Sequence, residues 1–374
     1  MKRLVIGLAI VLAMRSLAMY LIPLCAEDAY ITFHAALDPA WMRATTSPLW
    51  ALMMRPWGWP EVLARAWSLV ADCVAVWAAW LVLGRWGFWA FIALWISPFF
   101  TGSAVSGLET HIVAAALILA RVHPVGYAIA AALRPDAAIL SLVVSGRRWR
   151  WALAGAAAFA VIGLCSTGHL IPQTVTSKAL VYGVSGYKLF WWYWVAPFAL
   201  LGLLGCWMIR RPWQLIVALL VMAWFFMPQV NTLRSRHIQE ADLWNTGVDL
   251  AEKHPVGTIL LEPAGMIPFL NHRLNVVDEA GLTDPWMATR RNAPGWRTAA
   301  IERYKPQWIV IRLREYLMPN KWTVGATAPY LTAADAKLPG YGIVLAPGIK
   351  FSSPNKFTTE LTSSNLVILQ RKTP

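Results

Sequence analysis

From Leu4 to Val230 the chain is a succession of apolar runs separated by short connections, and that succession sets the fold class before any motif is read. Hydrocarbon offers no partner to a backbone N–H or C=O, so such runs cross a bilayer as α-helices of about 20 residues. They fall at roughly 4–23, 62–83, 86–100, 107–121, 151–167, 189–209 and 213–230, with a further segment at 124–145. Of the 374 residues, 58% are hydrophobic and only 14% charged, a balance foreign to soluble domains. The formal charge of +14 would suit a nucleic-acid binder, but Lys and Arg cluster between the apolar runs, where topology accounts for them. The opening "MKRLVIGLAIVLAMRSLAMYLIPL" has a positive end and no small-residue cleavage site, which predicts a retained first span.

Loop charge then orients the spans. Lys2 and Arg3 place the N-terminus in the cytoplasm, the loop 24–61 outside and Arg85 inside; "SPFFTGSAVSGLET" is external and Arg121 internal. The segment 124–145 begins and ends on the same side, since Arg147, Arg148 and Arg150 must also be cytoplasmic. With Pro135 in its middle, it reads as two half-helices whose turn at Arg134, Pro135 and Asp136 reaches part-way across. The run 151–167 exits, "GHLIPQTVTSKALVYGVSGYK" is external, 189–209 returns to Arg210 and Arg211, and 213–230 exits again.

From about 231 the composition becomes water-soluble. "IQEADLWNTGVDLAEKH" is amphipathic, "GWRTAAIERYK" helical, and "TILLE", "NVVDE", "WIVIR", "GIVLA" and "NLVILQ" strand-like. The chain therefore reads as a multi-pass α-helical membrane protein, 1–230, carrying a small extracytoplasmic α/β domain, 231–374, with no internal repeat. Cys25, Cys73, Cys165 and Cys206 are widely spaced and structural, and no histidine pair has metal-ligand spacing.

Four features could carry chemistry. Glu27 and Asp28 stand just above the first span, where partly dry carboxylates can serve as proton acceptors; the alternative is a helix cap facing water. Arg134, at the apex of the broken helix, needs an anion: either a phosphate or its own neighbour Asp136. His169 and Lys178 share the external side with the acids, and Lys178 can act as a point charge for phosphate or snorkel at the interface. Glu109 sits at another external helix start, where a cap role is expected, and His111 two residues later faces elsewhere, which argues against a joint metal site. "FWWYWV" at 190–195 is read as an interfacial aromatic belt.

Taken in order, "EDAYITFHAAL", "TTSPLW", "SGLET", "LRPDA", "HLIPQTVTSK" and "VVDEAGLTDPWMA" resemble the motif series of bacterial GT-C fold, polyprenyl-phosphate-sugar-dependent glycosyltransferases, the family that includes the terminal arabinofuranosyltransferases of mycobacterial cell-wall arabinan. The chain departs from that series with Glu27 for Asp, Asp136 for Glu, Gln173 for Asn, and a shorter first external loop. The resemblance implies a GT-C-like helical bundle in the plasma (inner) membrane and inverting transfer of a sugar to a glycan, lipid or protein acceptor of the cell envelope. Asp28 would be the base and Glu27 its positioning neighbour. Arg134, Lys178 and His169 would hold the donor phosphate, and His34, Glu109, Gln173 and Asp136 would be candidate substrate contacts. No cofactor is required by the reading, though Glu27 and Asp28 could offer oxygen ligands to a divalent cation. The competing classes are a lipid-linked-sugar flippase or transporter and a non-catalytic envelope-assembly protein.

Overall fold

The computed structural model describes residues 1–182, 191–262, 264–291, 293–312, 340–345, 350–353, 356–358 and 366–372. The end of the expected loop (183–188), the start of the expected 189–209 run with the first aromatic of "FWWYWV", and the outermost residue of the expected strands 342–346 and 365–370 lie outside them. The protein is a membrane-embedded helical protein with a small α/β region. Two compact units emerge: Met1–Met42 with Thr46–Pro172 and Phe190–His237, and Arg43–Thr45 with Gln173–Leu189 and Ile238–Pro374.

In chain order the first ten helices are α1 (Lys2–Leu21), α2 (Glu27–Leu37), α3 (Pro48–Met54), α4 (Pro60–Val82), α5 (Arg85–Trp95), α6 (Pro98–Val105), α7 (Thr110–Leu119), α8 (Val125–Leu133), α9 (Pro135–Ser145) and α10 (Trp149–Thr167). There follow α11 (Gln173–Tyr182), α12 (Val195–Met208) and α13 (Pro212–Ala251). Three helical runs, Lys2–Leu21, Pro60–Val82 and Pro135–Thr167, are long and apolar enough to cross a membrane, or up to five if the bent pairs 85–105 and 212–251 each count as one span.

This differs from the seven expected spans for local reasons. The run expected at 86–100 breaks because Pro98 cannot continue the helix; α5 and α6 meet at 58°. The run expected at 107–121 yields only the ten helical residues of α7, about 15 Å against a core of roughly 30 Å. The boundary expected at 230/231 lies inside α13, a single 40-residue helix, and the division by contact comes at 237/238.

The core of the first unit joins α1, α4, α5, α7 and α12 through Phe88, Phe91, Trp95, Phe100 and Ile118. Its rim is apolar as well: Tyr20 and Trp224 are each 82% exposed, as expected of side chains that face lipid rather than water.

The second unit is built on a five-stranded sheet of order β2-β1-β3-β7-β4. Its strands are β1 (Gly257–Leu261), β2 (Leu274–Asp278), β3 (Trp308–Arg312), β4 (Tyr341–Leu345) and β7 (Leu366–Arg371); β5 (Lys350–Ser353) and β6 (Lys356–Thr358) form a separate hairpin. β1 lies between β2 and β3, parallel to both, whereas β7 runs antiparallel to β3 and β4. The parallel pairs need crossovers, supplied by α14 (Met266–Leu270), α15 (Pro285–Arg290) and α16 (Trp296–Tyr304). Leu260, Val277, Met287, Trp296 and Ile309 pack between sheet and helices.

Candidate functional site

A helical hairpin brings the charged residues of the first unit together. Pro135 stands at the first position of α9 and forces Arg134 into an extended conformation, φ −147° and ψ 141°, so one residue ends α8 and begins α9. The chain then folds back: the Tyr127 hydroxyl near the start of α8 donates to the Val144 carbonyl near the end of α9 at 3.3 Å. The nine residues of α8 span about 14 Å, less than half a hydrocarbon core. α8 is clamped between neighbours through glycines, since a Cβ on Gly126 would strike the Ala116 carbonyl and one on Gly155 the Ala128 carbonyl.

At the tip, Arg134 is buried. Its Nε and Nη2 donate to the two oxygens of Asp136 at 2.8 and 3.2 Å, Nη1 donates to Glu109 Oε1 at 3.2 Å, and its planar face covers the Tyr193 ring at 5.0 Å. The local pair with Asp136 is therefore made, but it does not act alone. Glu109 occupies the cap position of α7 without a side-chain cap bond, so the expected cap role gives way to an ion pair across 25 residues of sequence. Three of the five guanidinium N–H groups serve these carboxylates, leaving two to point elsewhere.

The other motifs close on the same end. Ser47 Oγ donates to the Leu133 carbonyl at 2.5 Å, the indole of Trp50 to the Gly107 carbonyl at 3.1 Å, and the Ala26 amide to the Ser106 carbonyl at 2.8 Å. Gly107 has φ +75°, and a Cβ there would lie 2.9 Å from both Cys25 Sγ and the Phe33 ring; only glycine fits both the conformation and the space. Glu27 and Asp28 form the half-buried first turn of α2, where the helix dipole favours carboxylates. Tyr30, one turn on, is buried beside Glu61, and burial first, then Cys25 and Glu61, pushes its phenol up from the ordinary range. His34 is buried and stacked on Trp41 at 4.1 Å. His169 is exposed in the turn that ends α10, its amide bonded to Thr167 Oγ1 at 3.2 Å.

Beside the tip runs a groove of about 560 Å³ between α3, α4, α7, α8 and α10. Every lining residue is apolar, from Met53 and Trp67 through Ala116 and Ala158 to Ala132 and Leu133. One lining residue, Leu133, directly precedes Arg134 in the sequence.

A second charged cluster, absent from the sequence reading, lies wholly inside the bundle. Asp72 of α4 accepts from Arg15 Nε at 3.0 Å, from the Trp95 indole at 2.6 Å and stands 2.9 Å from His111 Nε2. Arg15 also donates to Thr101 Oγ1 and to the Trp95 carbonyl, each at 2.6 Å. The carbonyls at the end of α5 lose helical partners at the Pro98 break, and the guanidinium supplies one. All three ionisable side chains are fully buried. His111 lies in the first turn of α7 and Glu109 at its cap, so the cluster fixes the helix that presents Glu109 to Arg134.

In the second unit the segments "QTVTSK" and "DEAGLTDP" meet. Gln173 Nε2 and Ser177 Oγ, on α11, both donate to the Gly281 carbonyl, at 3.2 and 2.7 Å, and Thr174 Oγ1 donates to the Arg43 carbonyl at 3.2 Å. The Gln173 amide thus holds a turn. Lys178 is half-buried on the same helix. Glu279 is buried between Arg291 and Arg297, at 3.5 and 3.1 Å.

Asp278 is fully buried at the end of β2, accepting from the amides of Ala280, at 3.0 Å, and Leu282. Burial outweighs those bonds, and with Glu279 and Glu262 nearby its carboxyl is pushed up to about 7. A raised acid favours the folded state most below its ordinary pKa near 4, and that stabilisation is lost as pH climbs through about 7, at most about 4 kcal/mol. Hydrogen exchange of β1 and β2 in the full chain should show opening free energies falling across that interval, and Asp278→Asn should flatten the slope; an unchanged slope would contradict the assignment.

Among the described residues no group of three or more His, Cys, Asp or Glu is arranged to hold a metal ion. Residues 231–343 match a family described as a domain of unknown function (DUF8728). No curated protein and no solved structure matches the chain.

Proposed function

We propose that the protein is an inverting membrane glycosyltransferase that moves a sugar from a polyprenyl-phosphate donor to a cell-envelope acceptor on the external face of the plasma membrane. The observation that carries the reading is the apolar groove whose lining reaches Leu133, the residue before Arg134, in the unit that also bears Glu27 and Asp28. A prenyl chain suits the groove, its phosphate suits the two remaining guanidinium N–H groups, and an acceptor hydroxyl suits the acid pair. Because Glu109 and Asp136 already over-compensate Arg134, further positive charge is required for a phosphate, and His169, in the same unit, is the side chain assigned to supply it.

In the reaction, the acceptor oxygen attacks the anomeric carbon while Asp28 takes its proton, and the bond from that carbon to the phosphate oxygen breaks. Polyprenyl phosphate leaves with the electron pair. One carboxylate suffices for a single displacement. Charge supports that orientation: Lys2, Arg3, Arg85, Arg121, Arg147, Arg148, Arg150, Arg210 and Arg211 occupy the N-terminus and connections whose sequence has no Asp or Glu, the pattern of a cytoplasmic side.

Ala132 lines the groove, and Ala132→Trp should obstruct it. Displacing even two methylenes of the tail, at about 0.8 kcal/mol each, raises KM for a long-chain donor roughly 15-fold. A donor with a prenyl chain too short to reach Ala132 should keep its KM. Equal effects on both donors would remove the groove from the account.

A further inference from the structure

The basic end of the first unit holds a second groove, of about 190 Å³, between the ends of α4, α7 and α12. Its walls are Leu83, Leu200, Leu203, Leu204 and Trp207, and its one charged lining residue is Arg121. Arg210 borders it too: its guanidinium covers the Trp207 ring at 4.9 Å, and Nη1 stands 3.9 Å from where a Cβ on Gly84, next to Leu83, would be. Leu204 and Trp207 are 56% and 51% exposed, so the groove opens sideways from the bundle. An apolar slot that faces lipid and carries two guanidinium groups at its mouth, among connections whose sequence holds no Asp or Glu, combines the two halves of one ligand.

We propose that this groove is a binding site for an anionic phospholipid, one acyl chain lying against the leucines and Trp207 and the headgroup phosphate held by Arg121 and Arg210. Arg forms bidentate bonds to phosphate oxygens, and basic pockets between membrane helices are suited to acidic headgroups. The bound lipid ties α12 to α4 and α7, the helices that carry Asp72 and His111, and so adds to the stability of the bundle. The site is separate from the proposed donor groove and stands whether or not glycosyl transfer is found.

The test uses the purified full chain in detergent, with phosphatidylglycerol, phosphatidylcholine or inorganic phosphate added, reading melting temperature and lipid retained in native mass spectrometry. Phosphatidylglycerol should raise the melting temperature and be retained, while phosphatidylcholine and phosphate do neither. The double variant Arg121→Gln/Arg210→Gln should retain phosphatidylglycerol roughly 30-fold more weakly, whereas Arg147→Gln/Arg150→Gln, at another basic connection, should behave as wild type. Leu204→Trp, which fills the slot and leaves both charges, should weaken retention as well. Stabilisation by phosphate alone, equal retention of phosphatidylcholine, an equal loss in the Arg147/Arg150 variant, or wild-type retention by either groove variant would overturn the site.

Discussion

Asp28→Asn is expected to lower glycosyl transfer by about 10²–10⁴-fold, the range spanned by loss of a positioned general base. The amide keeps the size of the side chain and cannot take a proton, so the loss falls on kcat. Asp28 sits in the first turn of α2, where an amide forfeits a helix-dipole contribution of less than about 1 kcal/mol, so the variant should insert and fold. Glu27→Gln should cost less, since Glu27 is assigned to positioning its neighbour. Measured as release of polyprenyl phosphate from a donor at saturating concentration, near-normal turnover of Asp28→Asn would remove the proposed base, and equal losses at the two positions would merge their roles.

The second large effect is structural. Asp72→Ala removes the carboxylate that faces Arg15, Trp95 and His111 and leaves a fully buried guanidinium without its counter-ion. Breaking such a pair from one side costs about 3–5 kcal/mol, whereas replacing both members by apolar side chains is often close to neutral. Asp72→Ala should therefore reduce melting temperature and monodisperse yield sharply, and Arg15→Met/Asp72→Leu should recover most of the loss. Additive damage in the double variant would mean that each residue contributes through contacts other than the pair. Because α7 carries both His111 and Glu109, the single variant should also loosen Arg134 and depress transfer beyond what yield explains.

The fold was legible where local chemistry decides it. Pro135 inside an apolar segment with basic residues at both ends leaves few arrangements besides a turn, and Arg134 falls at the tip because the residue before proline cannot stay helical. The five strand-like stretches of the second unit were readable from their β-branched runs, yet their order, with β1 between β2 and β3 and β7 reversed, depends on crossovers that no local pattern encodes. Pro98 was equally visible, but the length of the apolar run around it hid a 58° break.

The site was legible in its residue types more than in its pairings. Glu109 looked like a cap because it precedes a helix; its partner lies 25 residues away, a distance without a sequence signature. The bond from the Gln173 amide to the Gly281 carbonyl, 108 residues on, likewise has no sequence signature. Arg15 and Asp72 stand inside the first and second apolar runs, and an ionisable residue in such a place is a signal on its own; what the sequence could not supply is that the two meet, with His111 as the third member.

The most direct measurement offers the purified protein, in lipid, a panel of polyprenyl-phosphate sugars with candidate acceptors, and follows free polyprenyl phosphate together with the configuration of the new glycosidic bond. The account predicts release with at least one donor, inversion at the anomeric carbon, and loss of both signals in Asp28→Asn. Transport of the intact donor across the bilayer without release, or a product of retained configuration, would contradict it.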